Sequence, residues 1–215
     1  MFECKDVKFK EILDIPSLFI AKNKITSLIG PSGSGKTTIL KLLNKMISPT
    51  EGHILFDGKS LDQIDSIAHR RHVTMLSQAP AMFEGDIKDN LIAGLKFQNR
   101  EIPADHVLAA MLLKVKLNKE LNSSTLTLSG GEKQRLALGR VLLLDSDVYL
   151  LDEPSSALDE ASAEAVIEMI ADFAKSENKT LVMVTHSKAI AQRFSDEILE
   201  IAYGKVMGGQ YERNH

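Results

Sequence analysis

The segment Gly30-Pro31-Ser32-Gly33-Ser34-Gly35-Lys36-Thr37 matches the pattern of a phosphate-binding loop over its full length. An apolar run over residues 24–29 predicts a strand directly before it, and apolar residues at helical spacing predict a helix over residues 36–46. The N–H groups of such a loop and the N-terminus of the helix after it both attract phosphate oxygens. The sequence therefore predicts a nucleotide site, in which Lys36 contacts the β- and γ-phosphates and Thr37 ligates Mg²⁺.

The composition indicates one globular domain. The chain has 215 residues, of which 44% are hydrophobic and 26% charged. The formal net charge of −3 argues against a broad, non-specific hold on nucleic acid. A single cysteine, Cys4, allows no internal disulfide and favours a reducing compartment. No stretch approaches the roughly 20 apolar residues that cross a bilayer, so we expect any membrane role to run through a partner chain.

Short apolar strands alternate with amphipathic helices on both sides of the loop. Strands are predicted over residues 2–9, 53–56, 73–76, 148–151, 181–184 and 197–201, and helices over residues 160–175 and 188–193. This alternation predicts an α/β domain with a parallel sheet covered on both faces. A helical block between Gln78 and Ser129 interrupts it, and we interpret the block as an inserted helical subdomain.

A second chemical pattern is the acidic end of the strand predicted at residues 148–151. Asp152 and Glu153 follow that strand, and the carboxyl end of a parallel strand lies on the side of the sheet where ligands collect. Asp152 would then hold Mg²⁺, and Glu153 would polarise the water that attacks the γ-phosphate. The alternative is a strand that ends in a solvated acid pair.

A third pattern surrounds Ser129. Ser129 is predicted to cap a helix, with Glu132 at the spacing of a capping box and Gly130 and Gly131 exposing backbone N–H groups. Such a helix start is a second anion site. Because the first loop already surrounds one triphosphate, the second element is expected to contact the ATP of another copy. A plain helix N-cap is the alternative.

Taken together, these motifs resemble the ATP-binding subunits of ABC transporters over essentially the whole chain. Six segments carry the resemblance in family order: Walker A at residues 30–37, the Q-loop glutamine Gln78, the signature at residues 128–132, Walker B at residues 149–153, the D-loop at residues 156–159, and the switch histidine His186. The resemblance implies a P-loop NTPase fold, with a RecA-like, mostly parallel core sheet, an antiparallel β subdomain and an inserted helical subdomain. It places the core at residues 1–85 and about 136–215, and the helical subdomain at about 86–135.

The resemblance also implies roles for individual residues. Gln78 would contact the metal and the attacking water, His186 the γ-phosphate, and Asp159 would link two sites across a dimer interface. Catalysis is expected from Glu153, His186, Gln78 and Lys36, and Mg²⁺ ligation from Thr37, Gln78 and Asp152. The nucleotide-binding set is expected to be Phe9, Gly30, Pro31, Ser32, Gly33, Ser34, Gly35, Lys36, Thr37, Thr38, Ser129, Gly130, Gly131, Glu132 and Asp159. Phe9 is the best candidate for stacking on adenine, with a core strand position as the alternative.

The partners follow from the same resemblance. A second copy or a paralogue would complete the ATP site, and an integral membrane permease would dock near Met82 and Phe83, unless these two residues are buried in the core. The chain would then lie at the cytoplasmic face of the cell membrane, held there by the permease and bound to no nucleic acid. ATP and Mg²⁺ are the expected cofactors.

A narrower resemblance concerns the cargo. Residues 47–52, 82–91 and 156–160 look like those of FetA-like subunits, the ATPase partners of a membrane protein implicated in iron export. An ATPase subunit for another solute and a non-transport ABC ATPase are the alternatives, although the 78–129 interval leaves no room for the coiled coil typical of the latter. A small-molecule kinase is disfavoured by the signature segment. The basic run His69-Arg70-Arg71-His72 is interpreted as a solvated helix face and not as a metal site.

Overall fold

The computed structural model describes residues 1–211 and contains ten strands and seven α-helices within them. The strands are β1 (Phe2–Phe9), β2 (Leu13–Ile20), β3 (Ile25–Ile29), β4 (Glu51–Phe56), β5 (Lys59–Ser60), β6 (Val73–Leu76), β7 (Val148–Asp152), β8 (Thr180–Val184), β9 (Glu197–Ala202) and β10 (Lys205–Tyr211). The helices are α1 (Lys36–Leu43), α2 (Ser66–His72), α3 (Ile87–Phe97), α4 (Asp105–Lys114), α5 (Gly130–Leu142), α6 (Glu160–Ser176) and α7 (Lys188–Phe194). Within this described range, none of the helices has the length and apolar character needed to traverse a bilayer.

The strands form two sheets. The larger has the order β10-β9-β3-β8-β7-β6, and all neighbours in it are parallel except β10 against β9. The smaller is antiparallel, in the order β2-β1-β4-β5. The predicted α/β class with a mostly parallel core sheet is confirmed.

The larger sheet is buried on both faces, as its all-apolar strands predict. Successive residues of a strand point to opposite faces. In β7, Tyr149 and Leu151 belong to one hydrophobic cluster, whereas Val148 and Leu150 belong to a second. The second cluster also contains Cys4, which is buried, as expected for a small apolar side chain.

Helices α3 and α4 lie between β6 and α5 along the chain, and both pack against α5. They correspond to the helical block of the sequence, while the division of the chain into subdomains stays a prediction. Three strands were not predicted: β2, the two-residue β5, and β10. Strands β2 and β10 lack a clear period-two pattern, since Pro16 interrupts the first and Gly208 and Gly209 the second.

The interpretation of residues 69–72 as a solvated helix face is wrong for His69. The run lies on α2, but His69 is only 1% exposed, and its ring packs edge-on against Phe2 and Phe56. Its Nε2 lies 2.7 Å from the carbonyl oxygen of Leu43, at the end of α1. Burial is the main reason why the pKa of His69 is lowered. Among the described residues, no group of three or more His, Cys, Asp or Glu side chains is placed to hold a metal ion.

Candidate functional site

The phosphate-binding loop lies between the end of β3 and the start of α1, as predicted. Gly35, the N-cap of α1, has φ +102°, a conformation that L side chains rarely adopt. A Cβ atom there would also lie 2.4 Å from Cδ2 of Leu13. The glycine therefore allows the loop to pack closely against β2.

Lys36 is folded back into the loop. Its Nζ donates hydrogen bonds to the carbonyl oxygens of Gly30, at 2.9 Å, and Pro31, at 2.8 Å. Burial lowers the pKa of Lys36, and the carboxylates of Glu153 and Asp152 act in the opposite direction. The ammonium is thus held among acceptors at the centre of the loop, where an anionic ligand would compete with the two carbonyl groups for it.

Thr37 and Asp152 meet although 115 positions separate them in sequence. The hydroxyl of Thr37 lies 2.9 Å from Oδ2 and 3.1 Å from Oδ1 of Asp152, which is 2% exposed. Burial raises the pKa of Asp152, and the hydrogen bond from Thr37 opposes that shift. A hydroxyl and a carboxylate placed side by side are hard oxygen ligands of the kind that Mg²⁺ prefers, so the residues present fit that ion.

Both carboxylate oxygens of Glu153 accept a hydrogen bond within the chain. Nε2 of Gln78 donates to Oε2 over 2.9 Å, and Nε2 of His186 lies 2.7 Å from Oε1. Glu153 itself has φ +49°, a strained conformation for a residue with a side chain. Glu153 directly follows β7, and its backbone conformation directs the carboxylate toward Gln78 and His186. These hydrogen bonds join three of the four predicted catalytic side chains, and the fourth, Lys36, lines the same cleft.

These groups line one cleft of about 430 Å³, within the size range of small-molecule sites. Its walls are formed by Ile12, Ser32, Gly33, Ser34, Gly35, Lys36, Thr37, Thr38, Gln78, Glu153 and His186. Phe9, predicted to stack on adenine, is not among them. Phe9 pairs with Leu13 in the β1–β2 hairpin and packs against the second hydrophobic cluster. Ile12, which the sequence reasoning missed, occupies the cleft wall instead.

The signature segment forms a helix start apart from this cleft. The hydroxyl of Ser129 accepts from the backbone N–H of Glu132 at 3.3 Å, and the carboxylate of Glu132 accepts from the N–H of Ser129 at 2.9 Å. The predicted capping box is confirmed. The hydrogen bond from the backbone of Ser129 is the main reason why the pKa of Glu132 is lowered. No residue of 128–132 lines the phosphate cleft.

The D-loop residue Asp159 caps α6. Its side chain accepts from the N–H of Ser162 at 3.0 Å, and hydrogen bonding to Ser162 lowers the pKa of this carboxyl. Asp159 does not line the cleft either. Its expected role across a dimer interface stays a prediction.

Gln134 is a functional candidate that sequence reasoning did not identify individually. It is 2% exposed, and its Nε2 donates to the carbonyl oxygen of Glu153 over 2.9 Å. Its Oε1 accepts from the N–H of Ala157, in the D-loop, over 3.1 Å. One amide therefore connects α5, the carboxylate-bearing turn and the D-loop. The available signal was a polar residue on the apolar face that Ala137, Leu138 and Val141 define.

Met82 and Phe83 differ in burial. Met82 packs against the hydrophobic cluster that contains Tyr149 and Leu151, whereas Phe83 is 37% exposed. The Phe83 ring meets Phe97 edge-on at a centroid distance of 5.5 Å, and the Arg140 guanidinium lies 5.0 Å from its centroid. Of the proposed docking pair, only Phe83 presents a large part of its side chain to solvent.

Comparison with known proteins agrees with this geometry. Residues 13–156 match the family model described as "ABC transporter". The chain is 39% identical to Protein STAR1 of Oryza sativa subsp. japonica over 203 residues, covering 94% of this chain but only 58% of that protein. It is 37% identical to Phosphate import ATP-binding protein PstB 3 of Natronomonas pharaonis, over 87% of this chain and 71% of that protein.

Solved structures show the same fold. The chain superimposes over its whole length on the dimeric structure of MJ0796, a bacterial ABC transporter cassette, with a TM-score of 0.89 and 26% identity. A second structure of that cassette, a dimeric post-hydrolysis state bound to ADP and Pi, gives a TM-score of 0.88 with full coverage of both chains.

Proposed function

Since this chain belongs to the ABC transporter family and has the fold of its ATPase cassettes, we propose that it is the subunit that hydrolyses ATP to power a membrane transporter. It works as one half of a head-to-tail dimer that encloses two ATP molecules. The natural partner in that dimer is a second copy or a paralogue. The chain spans little more than half of the length of STAR1.

One observation supports the dimer most directly. The cleft that holds the phosphate loop, Glu153 and His186 receives no residue from the signature segment 128–132, which has its own exposed helix N-terminus. The chain thus has two separate elements that can bind phosphate, the cleft with its phosphate loop and the N-terminus of the signature helix. A twofold pair in which the signature segment of one chain covers the cleft of the other uses both halves.

The first step is phosphate binding. The triphosphate accepts hydrogen bonds from loop N–H groups. Its β- and γ-phosphates replace the carbonyl oxygens of Gly30 and Pro31 as the hydrogen-bond acceptors of the Lys36 Nζ. Thr37, Asp152 and Gln78 are the groups that would hold Mg²⁺, which when bound neutralises charge on the phosphates. His186 is placed to contact the γ-phosphate once its hydrogen bond to Glu153 opens.

The second step is attack by water on the γ-phosphorus, which breaks the bond to the β–γ bridging oxygen and leaves ADP and phosphate. Glu153 accepts the proton of the attacking water, a contribution that is typically worth about 10²–10⁴ in rate. Gln78, which donates a hydrogen bond to the Glu153 carboxylate in the structure, keeps it oriented toward the γ-phosphate after His186 has left it. Dimer closure excludes bulk water and brings Ser129 and Gly131 of the other chain to the same phosphate.

A mixing experiment tests the composite site. Lys36→Ala removes the phosphate ligand of the loop, whereas Ser129→Asp keeps an N-cap acceptor but places a negative charge at the signature helix. Each variant alone should lose ATPase activity. A mixture contains heterodimers in which one site combines an intact loop with an intact signature segment, so activity should reappear. Ser124→Asp, which changes the cap of the neighbouring turn, is the matched control and should stay active.

Two results would contradict the proposal. Mixtures that stay as inactive as the separate variants would argue for a site completed within one chain. So would a rate per subunit that stays constant at concentrations far below dimerisation.

We further propose that a membrane permease docks at the surface formed by Phe83, Phe97 and Arg140. Phe97 is 73% exposed, and Phe83 is held against it and against Arg140. Through this permease the chain would lie at the cytoplasmic face of the membrane. Phe83→Glu should abolish permease-stimulated ATPase activity but leave the activity of the isolated chain intact. Leu113→Glu, at a comparably exposed site on α4, is the control.

Phosphate is the cargo that we propose from the relatives, since several of them carry the name phosphate import ATP-binding protein. Iron export, suggested by the short FetA-like segments, finds no support in the names of the relatives described above. Cells lacking the chain should accumulate less labelled phosphate if the first hypothesis holds, and more iron if the second does. Unchanged levels of both would indicate another solute.

A further inference from the structure

An acidic side chain lies at the helix start that the proposed function assigns to phosphate. Oε2 of Glu132 accepts from the N–H of Ser129 over 2.9 Å, and this hydrogen bond is the main reason why the pKa of Glu132 is lowered. The carboxylate is therefore ionised at neutral pH. A helix N-terminus carries only about half a positive charge. By itself, the start of α5 would thus present a net negative charge to the ATP of another chain.

Lys119 lies against this carboxylate. Its Nζ is 3.1 Å from Oε1 of Glu132, the oxygen that is not bonded to Ser129. The two side chains are 35% and 21% exposed, so the pair is partly shielded from solvent. Among the residues that the structure describes, no other cation forms an ion pair with Glu132. Lys119 therefore cancels the charge of Glu132 and leaves the helix N-terminus positive.

The backbone on both sides of Lys119 is anchored independently of this ion pair. Leu117, two residues before it, is buried in the hydrophobic core. Leu121, two residues after it, accepts a hydrogen bond through its carbonyl oxygen from the N–H of Lys88, on α3, over 2.8 Å. Contacts other than the ion pair thus hold Lys119 beside the signature helix, and its side chain can be changed without releasing the segment.

We propose that Lys119 is a positioning residue of the composite ATP site: by neutralising Glu132, it allows the signature helix of one chain to accept the phosphates held by the other. This inference rests on the proposed function, because the second chain supplies that ATP. Lys119 acts through Glu132 and needs no contact of its own with the nucleotide.

An ion pair with a purely structural role would behave differently. If the pair only held the helix start in place, loss of either partner would weaken the dimer. If charge decides, the two substitutions act in opposite directions. Lys119→Ala leaves the negative charge of Glu132 uncompensated, whereas Glu132→Gln removes that charge and keeps a side chain that suits a capping box.

The test is the dimer dissociation constant at saturating ATP, measured by light scattering over a range of chain concentrations. The parent is Glu153→Gln, which should hold ATP without turning it over. Lys119→Ala should raise the constant about five- to 30-fold for each of the two sites, because it leaves like charges facing each other across the interface. Glu132→Gln should lower the constant, and the double variant, which lacks both charges, should come close to the parent.

Two controls accompany these variants. Lys119→Arg keeps the positive charge and should dimerise as the parent does. Lys96→Ala breaks an ion pair of similar length, 3.0 Å to Asp89, on α3, and should also leave the constant unchanged.

Equal dimerisation of Lys119→Ala and the parent would overturn the inference. So would a weakening of the dimer by Lys119→Ala and Glu132→Gln alike, which is the behaviour of a structural pair, or a double variant as weak as Lys119→Ala alone. A parent that stays monomeric with ATP would refute the composite site itself, and the role of Lys119 with it. The behaviour of the parent therefore separates failure of the proposed function from failure of this inference.

Discussion

Nε2 of His186 lies 2.7 Å from Oε1 of Glu153, across 33 positions of sequence. The opposite oxygen of the same carboxylate accepts a hydrogen bond from Gln78. A carboxylate held on both sides cannot accept a proton from water along either of those directions. Entry of a γ-phosphate that attracts His186 would release one oxygen, so binding and activation of the base are coupled through this pair.

Glu153→Gln should separate binding from hydrolysis. The amide keeps the shape of the side chain but cannot accept the proton of the attacking water, so hydrolysis should slow by about 10²–10⁴-fold. ATP should still bind, and the chain should accumulate as a dimer, which light scattering with and without ATP measures. Glu101→Gln, at an exposed loop position, is the control. A variant that remains monomeric with ATP bound would contradict the closed-dimer mechanism.

Asp152→Asn should stabilise the fold in a pH-dependent way. Burial raises the pKa of Asp152 above its ordinary value of 3.8. Ionisation of Asp152 therefore lowers the free energy of unfolding. This decrease in stability begins as the pH rises through the unfolded-state pKa and is complete above the folded-state pKa. The variant should melt at a higher temperature than the wild type at pH 7, and the gap should narrow in acid. Asp172→Asn, at an exposed position of α6, is the control.

The same Asp152→Asn variant should lose the further stabilisation that Mg²⁺ adds to ATP binding, because the hard oxygen ligand beside Thr37 is weakened. A variant that melts below the wild type at neutral pH would contradict the assigned direction of the pKa shift.

Gln134→Ala should destabilise the chain and slow hydrolysis. The substitution leaves the carbonyl oxygen of Glu153 and the N–H of Ala157 without their present partner. An unsatisfied buried group costs about 1–3 kcal/mol, which corresponds to a loss of about 2–12 °C in Tm for a domain of this size. Since Gln134 positions Glu153, kcat should fall while the Kd for ADP changes little. Gln63→Ala, at an exposed position, should alter neither quantity.

The two signature glycines should respond differently to alanine. A Cβ atom on Gly131 would lie 2.7 Å from Cδ2 of Leu158 and 3.1 Å from the carbonyl oxygen of Ala157, whereas one on Gly130 meets nothing closer than 3.9 Å. Gly131→Ala should therefore push on the D-loop and lower the melting temperature. Gly130→Ala should leave it unchanged or raise it slightly, since alanine favours the helix. Equal effects in thermal unfolding would contradict this difference.

Local sequence patterns predicted the parts of this molecule that depend on local chemistry. The phosphate loop, the strand at Val73–Leu76 and the capping box of Ser129 and Glu132 each follow from residues close together in sequence. The acidic strand end could be placed near the loop because carboxyl ends of parallel strands share one edge of the sheet.

Contacts between distant segments were harder to predict. The burial of His69 depends on Phe2 and Phe56, which lie on other elements. The basic run on α2 therefore predicted, wrongly, that the His69 side chain is exposed to solvent. The place of Ile12 in the cleft depends on the length of a hairpin turn, and β2, which contains Pro16, was not recognised as a strand. Phe9, the candidate for stacking on adenine, packs against the second hydrophobic cluster, in agreement with the alternative of a core strand position.

Cys4 has a practical consequence for experiments on this chain. The thiol is 4% exposed, and burial raises its pKa to about 12, so the reactive thiolate is scarce at neutral pH. A cysteine introduced on the surface would be the one readily alkylated by a maleimide. Fluorophores or cross-linkers could thus be attached at Ser32 and Gly130, both exposed, without first removing the native sulfur.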